Sequence, residues 1–202
     1  MPRRTTLAVV VVAVAAAVVA VVVLAGGGGK GLAPEAATGR VELVGSGVAV
    51  VPEAERPPLP AFSGRTLDGK ELDLASLRGR PLVLNFWASW CGPCRAEQEG
   101  LELASKALAG KDVRMVGVNI RDDQGAATSY LEEFGVGYPS LFDRPAVLSA
   151  RLGALGPQAP PYTLVVDAQG RVAARVFGAL PGGRPQRQAD LLTDLVERVT
   201  AP

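Results

Sequence analysis

Two cysteines, Cys91 and Cys94, are the only thiols in the 202-residue chain, and they stand two residues apart in Trp90-Cys91-Gly92-Pro93-Cys94. Such a pair, placed after an apolar run and before a helical pattern, points to reversible disulfide chemistry. A helix starting near Cys91 sets the first sulfur at its N-terminus, where free N–H groups and the positive end of the dipole favour thiolate over thiol. Cys94 follows one turn later, within reach of a mixed disulfide on Cys91. Pro93 fits the first turn, where its missing N–H removes no hydrogen bond. A purely structural disulfide here would close too small a loop to stabilise much. A zinc site needs further ligands, and the chain holds no histidine and no third cysteine. The lack of histidine also excludes Cys-His and Ser-His-Asp centres. The expected chemistry is attack by an exposed, partly ionised Cys91 on a disulfide, with resolution by Cys94. No metal or organic cofactor is implied.

The elements that must position these thiols follow from hydrophobic periodicity. The apolar run 81–88 reads as a buried central strand leading into the cysteines, and 93–109 as a helix with Leu101, Leu103, Ala104, Ala107 and Leu108 on its apolar face. Upstream, Phe62-Ser63-Gly64 and Leu72-Asp73-Leu74 flank the turn Asp68-Gly69-Lys70 as a hairpin, and residues 76–80 end a short helical turn. Downstream come a strand over 113–120, a helix over 124–134 with Leu131 and Phe134 inward, and a short helix over 146–152. A hairpin of 163–167 and 172–177 turns at Ala168-Gln169-Gly170. An amphipathic helix over 185–199 closes the chain through Ala189, Leu192, Leu195, Val196 and Val199. This order predicts an α/β fold with a central mixed sheet and helices on both faces.

The first 59 residues carry a different message. After a positive start over 1–6, with Arg3 and Arg4, residues 7–25 are uncharged and apolar throughout. As a helix they span about 28 Å at ~1.5 Å per residue, against a hydrocarbon core of ~30 Å. They read as an uncleaved transmembrane anchor with its arginines cytoplasmic, which places the remainder outside the cytoplasm. Cleavage as a secretory signal is the alternative. Residues 26–59 read as a flexible linker, with possible edge strands at 41–44 or 48–51 and a stiff boundary at Pro57-Pro58-Leu59-Pro60. The globular domain is expected over 60–202. Without Arg3 and Arg4 the chain carries 19 basic and 20 acidic residues, and no basic stripe supports nucleic-acid binding.

The stretch from Asn85 to Glu97, Asn-Phe-Trp-Ala-Ser-Trp-Cys-Gly-Pro-Cys-Arg-Ala-Glu, resembles the active-site segment of extracytoplasmic, membrane-anchored thioredoxin-like proteins of the TlpA/ResA/DsbE group. The resemblance runs from about Pro60 to Val199 and includes Tyr138-Pro139-Ser140-Leu141 and Pro161-Tyr162-Thr163-Leu164-Val165-Val166-Asp167. It implies a thioredoxin-like fold and a cis-proline at Pro161 beside the cysteine pair, presenting backbone to an extended substrate. Pro160 departs from the residue usual before that proline. Glu97 matches a glutamate of ResA-like members, where it is either a proton relay to Cys94 or a solvated helix-surface carboxylate. Asn85 stands where cytoplasmic thioredoxins bury an aspartate, and an amide cannot serve as that base. Gln98-Glu99-Gly100 replaces the usual Met-Pro-x run, so the proline kink of the active-site helix is not expected.

The function these residues predict is extracytoplasmic thiol-disulfide exchange, with Cys91 and Cys94 catalytic and Glu97 assisting. Trp90, Gly92, Pro93, Pro160 and Pro161 line the substrate side, while Trp87 either frames the site or packs behind it. The resemblance implies a disulfide-containing protein substrate, apocytochrome c among the candidates, and a membrane electron donor of the CcdA or DsbD kind. The Gly92-Pro93 spacer leans toward reduction, since thioredoxin is poised near about −270 mV against about −120 mV for DsbA. The alternative is a disulfide-forming oxidase with the same pair. A peroxiredoxin-like peroxidase would want a lone cysteine in a Thr-x-x context, which is absent here. A non-catalytic binding module would have no use for both cysteines.

Overall fold

The computed structural model describes residues 42–43 and 47–200. The segment 7–25, read above as an anchor, and the glycine run after it lie outside the described residues. Among the described residues no helix is long and apolar enough to cross a membrane.

The cysteines are positioned by β5 (Leu82–Trp87), buried along its whole length, and by α1 (Gly92–Ala109). Side chains alternate across a strand. Leu82, Leu84 and Phe86 enter one core, Val83 enters the other, and Asn85 and Trp87 share the Val83 side. A strand buried on both faces must read as one continuous apolar run, and residues 81–88 do. In chain order the other strands are β1 (Glu42–Leu43), β2 (Val48–Val50), β3 (Ser63–Arg65), β4 (Glu71–Asp73), β6 (Arg114–Ile120), β7 (Ser140–Asp143), β8 (Tyr162–Val166) and β9 (Val172–Phe177). The remaining helices are α2 (Gln124–Phe134), α3 (Val147–Arg151) and α4 (Pro185–Thr200). The main sheet has the order β1-β2-β9-β8-β5-β6-β7, with β3 and β4 paired separately. β5, β6 and β7 run parallel, whereas β8, β9, β2 and β1 pair antiparallel in turn. The expected mixed sheet is thus observed.

Within the linker expected over 26–59, the possible strand at 48–51 is observed, and residues 48–59 belong to the folded domain. Val48–Val50 pairs with β9, and Val48, Ala49, Val50 and Val51 are buried. Residues 57–59 run beside the β8–β9 turn, with the Val172 N–H donating to Pro57 O and the Leu59 N–H to Gly170 O. Four consecutive small apolar residues gain more from covering the sheet edge than from solvent, and β2 also shields the backbone edge of β9.

Helices cover both faces. On the first, α1 and α4 bury Leu101, Ala104 and Leu108 against Ala189, Leu192, Val196 and Val199. Ala107, expected on that face, is exposed, and Glu102 is buried instead because its carboxylate accepts from the Gly137 N–H at 3.1 Å. On the second face, α3 and the helical turn Leu74–Leu77 pack Leu148, Leu152 and Leu74 over Leu84, Phe86 and Leu164. Helix ends follow local chemistry. The Asp123 carboxylate accepts from the Gly125 and Ala126 N–H groups at the start of α2, and Gly135, left-handed at φ 59°, closes its end. The Asp143 carboxylate does the same for α3, accepting from the Val147 and Leu148 N–H groups at 2.8 Å each.

Gly100 explains part of the departure at Gln98-Glu99-Gly100. The helix α1 runs unbroken to Ala109, and a Cβ at position 100 would meet Gln188 Cβ at 2.7 Å and Pro185 O at 3.0 Å. A helix-interior glycine costs about 1 kcal/mol relative to alanine, so propensity alone favours Gly100→Ala. Packing decides the other way: overpacking typically costs ~1–3 kcal/mol, and one contact is rigid backbone. Gly100→Ala therefore lowers the urea midpoint of unfolding, and an unchanged or raised midpoint would show that α4 yields freely.

Candidate active site

At the end of β5 the chain turns through Ala88, Ser89 and Trp90 into α1, whose N-cap is Cys91. The two sulfurs are bonded at 2.07 Å, and the Cys94 N–H points at Cys91 Sγ at 3.2 Å. This sets Cys91 Sγ among the free donors of the first turn, where a thiolate is favoured once the bond is reduced. Contrary to the exposure expected for Cys91, only 4% of it is accessible, and Cys94 is also buried. Leu67, Trp87, Ala88, Ala127 and Tyr130 pack around the pair. Gly92 and Pro93 are exposed at the rim, and Trp90 stands out at 59%.

Two loops hold that rim. The Trp90 indole N–H donates to Arg121 O at 3.0 Å. The buried Asp122 carboxylate accepts from the Ser89 N–H, from Ser89 Oγ at 2.8 Å, from Asn119 Nδ2 at 2.8 Å and from the Asp123 N–H at 2.9 Å. Burial alone would raise its pKa, but these donors together hold it below the ordinary aspartate value. Asp122 thus pins the turn immediately before Cys91 to the end of β6. The Pro160–Pro161 peptide bond is cis, as the resemblance implied. Since Phe86 pairs with Tyr162, the antiparallel register continues Pro161 toward Trp87, at the same end of the sheet as Cys91. Pro161 is buried and Pro160 half-buried. Phe177 ends β9 opposite Tyr162, is 48% exposed, and adds a second solvent-facing aromatic at this end.

Glu97 lies one turn beyond Cys94 and is fully buried, which removes the reading of a solvated surface carboxylate. Its Oε1 accepts from Asn85 Nδ2 at 3.1 Å and its Oε2 from the Leu180 N–H at 2.7 Å. Burial pushes its pKa up to about 7, against the pull of those two donors. Asn85 also donates to Thr163 Oγ1 at 3.1 Å, so the amide ties β5, β8 and α1 together. Trp87 is a packing residue: it is buried, its indole N–H donates to Ser140 Oγ at 2.8 Å, and its ring lies 4.5 Å from that of Tyr130.

Asp122, Tyr130, Gln98 and Phe177 were not singled out from the sequence. Their partners lie tens of residues away, and no local spacing signals them. On α2 the fully buried positions are Ala127 and Tyr130, whereas the expected inner residues Leu131 and Phe134 are half-buried.

With this geometry in place the class is defined: the chain belongs to the Redoxin family, matched over residues 54–192, and has a thioredoxin-like α/β fold. It is 41% identical over 127 residues to the thiol:disulfide interchange protein DsbE of Yersinia pestis, a match covering 61% of this chain and 64% of that protein. It is 28% identical over 121 residues to the thiol-disulfide oxidoreductase ResA of Bacillus subtilis (strain 168), covering 60% and 66% respectively. The chain therefore spans just under two thirds of the length of these relatives. The fold superposes on the crystal structure of a DsbF homologue from Corynebacterium diphtheriae with a TM-score of 0.68 at 29% identity, over 79% of this chain and 98% of that one. The DsbE/ResA resemblance read from the residues holds.

Proposed function

We propose that this protein is an extracytoplasmic thiol-disulfide oxidoreductase that reduces disulfides in protein substrates. One observation carries the reading: the Cys91–Cys94 pair opens α1 as its N-cap and first turn, with a buried carboxyl group, Glu97, one turn further on. In the reduced state Cys91 is the sulfur favoured as thiolate. It attacks a substrate disulfide, forming a mixed disulfide and releasing one substrate thiolate. Cys94 then loses its proton and attacks Cys91 Sγ, which releases the second substrate thiol and restores the Cys91–Cys94 bond. Glu97, poised near neutrality, is the acceptor for the Cys94 proton. Because both sulfurs are buried, substrate approaches over the rim of Trp90, Gly92 and Pro93, with Pro160, Pro161 and Phe177 on the opposite side.

The reductive direction needs an electron source. With residues 7–25 as an anchor and the domain outside the cytoplasm, that source is a membrane thiol donor of the CcdA or DsbD kind. Apocytochrome c is the substrate to test first, since loss of holo-cytochrome c in a strain carrying Cys91→Ser and Cys94→Ser would support it and normal levels would exclude it. For the direction itself, thiol trapping in intact cells is expected to find Cys91 and Cys94 mainly reduced. A mainly oxidised pair would favour disulfide formation instead.

A further inference from the structure

Helix α2 is inserted between the parallel strands β6 and β7 and reaches the redox helix through Tyr130, Glu133 and Phe134. The Tyr130 hydroxyl lies 3.1 Å from Cys94 O and 3.2 Å from Gln98 Oε1, and its single proton is shared between these two acceptors on α1. Gln98 Nε2 donates in turn to the Tyr138 hydroxyl at 2.9 Å, just beyond α2. The Tyr130 ring is held between Trp87 at 4.5 Å and Phe134 at 4.6 Å. On the outer side the Arg95 guanidinium covers the Tyr130 and Phe134 rings at 5.5 and 4.9 Å and pairs with Glu133. The first turn of α1 is thus gripped from inside by a hydroxyl and from outside by a cation, both through α2. Burial raises the pKa of the Tyr130 phenol above its ordinary value, so it remains a donor at neutral pH and well above it.

We propose that Tyr130 is a positioning residue for Cys94, fixing the backbone of the first turn of α1 so that the buried sulfur stays within closing distance of Cys91. This rests on the reading of Cys91 and Cys94 as a cycling dithiol. Closing an intramolecular disulfide depends on the effective concentration of one thiol beside the other, and that falls when the carrier of either is free to move. The hydroxyl therefore biases the pair toward the disulfide, and its loss shifts the balance toward the dithiol.

The test is equilibration with glutathione. The protein dithiol and one glutathione disulfide give the protein disulfide and two glutathione thiols, so two electrons and two protons pass to glutathione and one S–S bond replaces another. Tyr130→Phe keeps the aromatic stack and removes only the hydroxyl. The equilibrium constant for protein disulfide formation is expected to fall about 3- to 10-fold, the scale of one hydrogen bond. Leu148→Ala opens a cavity in the core on the other face of the sheet, away from α1 and α2; it should lower thermal stability and leave that constant unchanged. An unaltered constant in Tyr130→Phe overturns the proposal, as does an equal shift in Leu148→Ala. A wild-type protein inert to glutathione overturns the redox reading itself and the positioning role with it.

Discussion

Cys91→Ser is expected to abolish reduction of a protein disulfide, whereas Cys94→Ser should stop turnover after one round and accumulate protein–substrate mixed disulfide. The asymmetry follows from placement. Cys91 is the N-cap of α1, and its sulfur receives the Cys94 N–H at 3.2 Å, so a thiolate that starts the reaction is favoured there. Both sulfurs are buried, but Cys91 stands at the rim between the exposed Trp90 and Gly92, whereas Cys94 sits inside the first turn. It can meet a sulfur already attached to Cys91, but not one carried by a bulky protein arriving from solvent. Serine at position 91 leaves Cys94 without access, and its hydroxyl is not ionised at neutral pH. Serine at position 94 leaves the first step intact and removes the only resolving thiol. Mass spectrometry of Cys94→Ser incubated with an oxidised protein substrate should find an adduct that dithiothreitol removes. Substantial turnover by Cys91→Ser, or trapping on Cys94 in that variant, would reverse the assigned roles.

The legible parts of this protein were those written locally. The thiol pair, Pro93 in the first turn and the carboxylate one turn beyond Cys94 all fall within seven residues, where helix geometry fixes who meets whom. The uniformly apolar run of β5 and the spaced apolar residues of α4 are likewise decided by periods of two and 3.6. Contacts that join distant segments were not legible. Asp122 reaches back 33 positions to Ser89, and Tyr130 reaches 36 positions to Cys94. The strand at Val48–Val50 was legible as one of two possible edge strands, but its partner was not: a short apolar run between glycines and prolines does not say that it pairs with β9. Exposure was misjudged at Cys91 because it depends on what covers a residue, and Leu67 and Ala127 come from two other parts of the chain. The polar residues Gln98 and Glu102 on the inner face of α1 follow the same rule. Their partners are Tyr130, Tyr138 and Gly137, and without them both positions read as solvent-facing.

Glu97 should give the folded protein a pH dependence that Glu97→Gln removes. Its folded pKa is raised from 4.5 to about 7, chiefly by burial. Between those values the native state holds a proton that the unfolded chain has released, so the stabilisation is complete below about pH 4.5 and is lost as pH rises through about 7. The difference amounts to roughly 3 kcal/mol. Urea unfolding of the disulfide form should therefore show stability falling over this interval in the wild type. In Glu97→Gln only a weaker slope of the same sign remains, from Glu102, whose pKa burial also raises. The substituted amide can be accommodated. Its carbonyl can accept from the Leu180 N–H, while Asn85 Oδ1, buried without a hydrogen-bond partner, accepts from its NH₂ once the Asn85 amide turns over. The same rotation accommodates a protonated Glu97. Equal slopes in the two proteins would mean that Glu97 does not titrate in this range, and with that its role as proton acceptor for Cys94 would fall. If the slope weakens as expected, resolution of the mixed disulfide should also slow by about 10²-fold or more, the ordinary contribution of a positioned base, and its pH profile should lose the inflection near 7.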